Sequence, residues 1–551
     1  MKDTNRILYL LLLVLAIGVN FSGINVNFFT DDPGLYASIA KNLLHKNSFF
    51  ELFTYNQDWL DKPHFPFWCI LLSFKLFGVS VWAYRLPALL FFVVSLFYTF
   101  LFARKYYGTE IAIFAVLILA TALHVQLSNT DVRAETYLMA LIMGAIYHIA
   151  NLEKRLTFND LLLAAIFTAC AVMTKGIFVI VAIYGSLIGQ LLFQKKLNHL
   201  FNFKWLLLLL LTCICILPEL YALYLQFDLH PEKTVFGRNH VSGIKWFFWD
   251  SQFGRFANNG PISRKTSGSV FFYLHTILWA FAPWCLIFYY ALYKNIKKIF
   301  DKQQLMEYYT ISGGLALLVL FSLSRFQLPF YTNAVFPLFA ITTAPFCCMQ
   351  IGPVGTKFRL AGLWLFAILL PLMVILINFF LKPIHDLFFG FDCILFGVTI
   401  LLIPAITKEA HKKAFILTCV TALFAGFYLN TVFYNEIIPY KGQIMAAQYT
   451  NQKAFDGFKI YSLTAENNLF QFYSKRTVDL APIAKFESFK PDSPAVFFTS
   501  QPSMDYLLKN HAHFSIVRSF INYPQENILP KFINKATRNQ VLDHVYLITK
   551  P

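Results

Sequence analysis

The sequence predicts a polytopic α-helical membrane protein followed by a small C-terminal α/β domain. Two observations carry that reading: long apolar runs recur from Ile7 to Phe433, and the composition changes after Phe433. Each run holds about 18–22 residues, enough to cross a hydrocarbon core of about 30 Å as a helix. Of the 551 residues 57% are hydrophobic and only 14% charged, a balance foreign to soluble domains. The first run, Ile7 to Val26, lacks a small-residue cleavage site and is expected to stay as a helix.

The net charge of +17 does not point to nucleic acid, because the lysines and arginines sit in short links between apolar runs. The basic clusters are Lys2/Arg6, Arg104/Lys105, Lys154/Arg155, Lys195/Lys196, Lys294 to Lys302, Lys357/Arg359 and Lys408 to Lys413. If all are cytoplasmic, the crossings between consecutive clusters must be even in number. Runs near 7–27, 84–103, 109–126, 130–151, 159–174, 176–194, 203–226, 269–294, 307–324, 327–349, 360–381, 387–406 and 414–434 satisfy this, giving about thirteen spans. Phe65 to Val79 is too short, breaks the parity, and is expected on the outer face. The N-terminus is then cytoplasmic and the C-terminus outside.

With that topology "TDDPG", "WLDKPHFP", "SNTDVRAE", "MTKG", the loop 227–268 and "SRFQLPFY" all meet one surface. The other long outer loop is 28–83. Residues 1–434 are read as the membrane domain and 435–551 as an extracytoplasmic domain. There "FKIYSL", "PAVFFTS", "FSIVRSF" and "HVYLIT" read as strands and "MDYLLKNH" as a helix. The nine cysteines show no disulfide or metal-ligand spacing and read as small core residues.

Four charged motifs invite a chemical reading. In "FFTDDPGLYASIAKNLL", Asp32 before Pro33 reads as an N-cap, and Leu35, Tyr36, Ile39, Ala40, Leu43 and Leu44 form an apolar stripe opposite Lys41, Asn42 and Lys46. A cap needs one carboxylate, and Asp31 supplies a second. In "WLDKPHFPFW", Asp61 and Lys62 lie between aromatic residues, where a lipid phosphate is a natural partner. In "SNTDVRAETY", Asp131 and Glu135 share a helix face if the helix has begun, with an ion pair to Arg133 as the alternative. Lys175 in "VMTKGIFVI" interrupts an apolar run, so it either snorkels or binds an anion.

This ordered set resembles the polytopic GT-C glycosyltransferases, the group of aminoarabinose transferase and the bacterial protein O-mannosyltransferase-like enzymes. The resemblance runs through most of residues 5 to 350 and is weakest in the C-terminal domain. "DPGLYA" is similar to the family's Asp-Glu-x-x-Tyr-Ala, which implies that Asp32 is the catalytic acid, with Asp31 standing in for the second acid that Pro33 replaces. "DKPH" is similar to Glu-Lys-Pro-Pro, which implies a supporting acid at Asp61 and a phosphate-binding Lys62. Thr174, Lys175 and Gly176 match the family's Thr-Lys-Gly. "FFWDSQFGRF" is similar to its Phe-Phe-Trp loop and adds Arg255, and "SRFQLPFY" is similar to Lys-Leu-Pro-x-Tyr and puts Tyr331 by the donor phosphate. The family's acid at the fourth span falls on Asp131 or Glu135.

The resemblance implies a GT-C fold and a polyprenyl (undecaprenyl) phosphate sugar as donor, in the cytoplasmic (inner) membrane, with lipid A, a glycan or a protein as acceptor. It implies no certain cofactor; a divalent metal at Asp61 is left open. Charge logic asks for the same chemistry: cations for the departing phosphate and a carboxylate for the acceptor's proton. The rivals are a transporter or flippase, which calls for mid-span charges and matching halves, and a non-catalytic scaffold.

Overall fold

The computed structural model describes residues 3–264, 268–383, 387–406, 409–465 and 467–550. Lys2 and Lys408, members of two expected basic clusters, lie outside the described residues. Every apolar run is helical. Among the described residues Val81–Tyr107, Phe158–Lys175, Phe203–Asp228, Pro353–Leu381 and Ala410–Tyr440 are each long and apolar enough to cross a membrane, and Thr109–Thr121 with Leu123–Thr130 forms a pair bent by 55°. Other apolar helices, Val179–Phe193 and Tyr309–Leu323 among them, are shorter, so length alone supports fewer crossings than thirteen. The chain is a multi-pass membrane protein.

The bend falls at Ala122, whose extended backbone frees the Leu123 N–H to bond to the Ala282 carbonyl at 2.8 Å. Phe65–Phe77 is a helix of about 20 Å at 1.5 Å per residue, short of a crossing. It packs on Asp31–His45 and Val81–Tyr107. All nine cysteines are free, and Cys213 is exposed rather than in the core.

A short hairpin, β1 (Phe53–Thr54) and β2 (Gln57–Asp58), follows the Asp31–His45 helix. The C-terminal sheet has β3 (Lys459–Ser462), β4 (Val478–Leu480), β5 (Ala495–Ser500), β6 (Ser515–Asn522) and β7 (Asp543–Thr549) in the order β4-β3-β5-β7-β6. β3 runs parallel to β4 and β5, and β7 is antiparallel to β5 and β6. The expected helix is present as Gln501–Lys509. β4 went unpredicted because three residues give no alternation to read.

Two expectations for the first outer helix are corrected. Its N-cap is Thr30, not Asp32, so both aspartates lie in the first helical turn, where the helix dipole favours acids. Its polar face is not solvated either. Lys41 is buried, and its Nζ donates to the carbonyls of Gln471 (3.3 Å), Phe472 (3.2 Å) and Ser474, at the end of the Asn468–Tyr473 helix. Burial lowers the Lys41 pKa to about 8. Lys46 alone of the three expected polar residues is exposed, with its ammonium 3.6 Å from the Phe53 ring centre.

Candidate active site

The first half of the site is acidic. Arg133 is the N-cap of Ala134–Lys154, and Asp131 is the C-cap of Leu123–Thr130. Asp131 and Glu135 therefore do not share a helix face as the spacing suggested, because the helix begins between them. Arg133 pairs with Asp131 at 3.1 Å and with Asp32, and Thr30 Oγ1 donates to Asp131. Burial works against the Arg133 charge, but Asp131 and Asp32 more than offset it and hold the pKa above its ordinary value. The Asp32 side chain is 42% exposed, so it is reachable from outside while paired.

Asp31 points elsewhere. It accepts hydrogen bonds from the Asn468 backbone N–H at 3.1 Å and from the Asn468 side-chain amide. Burial pushes its pKa up to about 7, against the lowering effect of those bonds. It latches the C-terminal segment to the first outer helix.

The second half is cationic. Lys175 ends the Phe158–Lys175 helix, pairs with Glu135, and sits 3.8 Å from the centre of the Tyr331 ring. Asp61 receives Lys62 at 2.7 Å on one oxygen and Arg255 on the other. Burial lowers the Arg255 pKa. Lys62, Lys175, Arg255 and Asp61 line one cavity, and Lys175, Arg255 and Tyr331 line an adjoining one. Each cation is partnered, yet none is fully enclosed: the side chains of Lys62, Lys175 and Arg255 are 15–20% exposed.

Gly176 makes the junction. Its φ of +99° suits glycine, and a Cβ there would lie 2.1 Å from Gln252 Nε2 of the Ser251–Ala257 helix, which also carries Arg255. Phe330 joins the two halves: Arg133 lies 4.3 Å and Lys175 5.7 Å from its ring centre.

The structure thus brings Asp32, Asp131, Arg133, Glu135, Lys175 and Tyr331 into one connected cluster, and joins Lys62, Asp61 and Arg255 to it through the shared cavity. Tyr36, four residues after Asp32, lies within electrostatic reach of Lys62, Asp32, Glu135 and Arg133 together. Several contributors were not read from the sequence. Buried His64 pairs with buried Glu219 at 3.0 Å, donates its backbone N–H to the same carboxylate at 3.0 Å, and so fixes the loop that carries Asp61 and Lys62. Glu526 reaches the acidic half from the C-terminal domain. Its pKa is raised by desolvation and by the charge of Asp32. Lys441 Nζ holds the turn that carries it, donating to the Tyr523 and Gln525 carbonyls at 3.0 Å each.

A divalent metal at Asp61 does not fit this arrangement. Both carboxylate oxygens already face cations, and among the described residues no group of three His, Cys, Asp or Glu could hold a metal ion.

Residues 61–221 match the family model described as dolichyl-phosphate-mannose-protein mannosyltransferase. The structure superposes on the crystal structure of ArnT from Cupriavidus metallidurans bound to undecaprenyl phosphate with a TM-score of 0.73 at 17% identity, covering 98% of this chain and 97% of that one. The fold is GT-C, as in ArnT. Against ArnT in the apo state the TM-score is 0.70 at 17% identity, over 92% of this chain and 95% of the other. An uncharacterized protein of Aquifex aeolicus (strain VF5) is 25% identical over 444 residues, 79% of each chain. The fold likeness takes in the C-terminal domain, where the resemblance in sequence was weakest.

Proposed function

We propose that this protein is a glycosyltransferase that moves a sugar from a polyprenyl phosphate, undecaprenyl phosphate in particular, to a cell-envelope acceptor. The reading places the site at the outer face of the cytoplasmic membrane, with the N-terminus inside and the C-terminal domain outside. Lipid A, a glycan and a protein side chain are the acceptors considered. The observation that carries the proposal is the meeting of Lys62, Lys175 and Arg255 around two adjoining cavities, one aromatic ring away from Arg133 and Asp32.

In the reaction the acceptor oxygen attacks the anomeric carbon, the bond from that carbon to the phosphate oxygen breaks, and the electron pair leaves with the phosphate. Lys62, Lys175 and Arg255 stabilise that developing charge, exchanging part of their contact with Asp61 and Glu135 for the phosphate oxygens. Tyr331 lies beside Lys175 as a hydroxyl donor to the same group. Asp32 takes the acceptor's proton, and Arg133 holds its carboxylate in position. Asp131 and Glu135 serve different partners, the first orienting Arg133 and the second orienting Lys175.

The fold likeness to ArnT bound to undecaprenyl phosphate supports the lipid-phosphate donor. The test is transfer of labelled sugar from an undecaprenyl-phosphate donor to envelope lipids, glycans and proteins by the purified protein. Label in one acceptor class supports the reading; label that stays on the donor with every class overturns it.

A further inference from the structure

The helix Leu387–Ile406 carries a carboxylate that sugar transfer does not use. Asp392, in its second turn, is 2% exposed, and its Oδ2 is buried with no hydrogen-bond partner. Among the described residues no cation pairs with it. Ionisable groups inside membrane helices are rare and costly unless something answers their charge.

Asp392 opens onto an apolar cleft lined by Gly18 and Val19 of Asp3–Ser22, Phe396 of its own helix, and Val420 and Phe427 of Ala410–Tyr428. A Cβ on Gly18 would meet nothing within 4 Å, so the cleft is open there. On the flank of the same helix Phe391 and Ile394 are exposed, and they face the surroundings of the bundle. The cleft also has a polarity along its length. Lys535 N–H bonds to the Phe380 carbonyl at 3.0 Å, so Pro353–Leu381 ends beside the C-terminal domain, and Asp392 lies in the second turn of the next helix in the chain. Thr399 lies deeper, and its hydroxyl is spent on the Leu395 carbonyl at 2.7 Å.

One acid near an interface above an apolar channel is the complement of an amphiphile with a cationic N–H donor. We propose that this cleft binds a membrane phospholipid with a primary-amine headgroup, its ammonium on Asp392 and an acyl chain along Gly18, Phe396 and Phe427. An anionic headgroup would be repelled there, and a quaternary amine has no N–H to offer Oδ2. The inference is independent of the transfer chemistry.

The test is thermal unfolding of the full chain in detergent with added dioleoyl phosphatidylethanolamine, phosphatidylglycerol or phosphatidylcholine, with native mass spectrometry for retained lipid. The ethanolamine lipid is expected to raise the unfolding midpoint above that in the other two and to remain bound. Asp392→Asn should abolish that preference, and Gly18→Leu, which fills open space without touching the acid, should abolish retention. Equal effects of the three lipids, an unchanged preference in Asp392→Asn, or a second polypeptide retained in the cleft would each overturn the proposal.

Discussion

The two halves of the site solve opposite electrostatic problems. Around Lys62, Lys175 and Arg255 the charges nearly balance, with Asp61 serving two cations and Glu135 one. Around Arg133 they do not: Asp131 and Asp32 pair with a single guanidinium, and Glu526 adds its charge from the C-terminal domain. A balanced cluster with a surplus cation suits an incoming phosphate. An acid-rich cluster suits a carboxylate that must accept a proton. Under the proposed function, donor binding and proton acceptance are separate modules, joined through Phe330.

The sharpest way to break that division is Asp32→Asn. We expect folded protein whose transfer rate falls roughly 100- to 10,000-fold, the range for loss of a general base, measured by label transfer. Because Thr30 and not Asp32 occupies the N-cap position, and asparagine keeps an oxygen for Arg133, the thermal midpoint should hardly move. Next, Arg255→Met should cost roughly 100- to 1,000-fold in transfer through loss of a charge donor at the leaving phosphate. Lys62, left sharing Asp61 with no competitor, should become a weaker donor still.

A smaller effect is expected from Glu526→Gln: burial and the charge of Asp32 hold the Glu526 pKa above its ordinary value, so wild type should lose thermal stability as pH rises from the ordinary glutamate range, and the variant should lose less. The same pH dependence of the thermal midpoint in both proteins would contradict this.

The smallest effect concerns Asp31. Its folded-state pKa near 7 lies above the ordinary aspartate value, so between the two the folded state binds more protons than the unfolded one. Stability from this group is therefore greatest below the unfolded value and is lost as pH rises toward 7. Hydrogen exchange in Asn468–Tyr473 should slow as pH falls from 8 to 5, after correction for intrinsic rates, and Asp31→Asn should remove that dependence.

The membrane architecture was legible in the sequence because long apolar runs have few other uses. The residues of both halves were legible as motifs, since charged side chains beside apolar runs stand out one by one. Their pairing was not. The Asp131–Glu135 spacing suggested a shared face, but the register depended on where a helix begins, and caps move by a residue or two without a strong local signal. Asn468 reaches Asp31 across 437 positions, Glu219 reaches His64 across 155, and Glu526 acts from the C-terminal domain, and nothing periodic marks such pairings. Lys41 and Asn42 looked solvated because the carbonyls that cover Lys41 belong to a helix near the other end of the chain. The C-terminal segment packs on the first outer helix through Asp31 and Lys41 and is more than an appended domain.

The separation of the two modules is tested most directly by equilibrium binding of undecaprenyl phosphate to three proteins side by side: wild type, Asp32→Asn and Lys175→Met. The account predicts that Asp32→Asn binds as wild type does, while Lys175→Met binds at least about tenfold more weakly. Equal binding by all three, or loss of binding in Asp32→Asn alone, would contradict it.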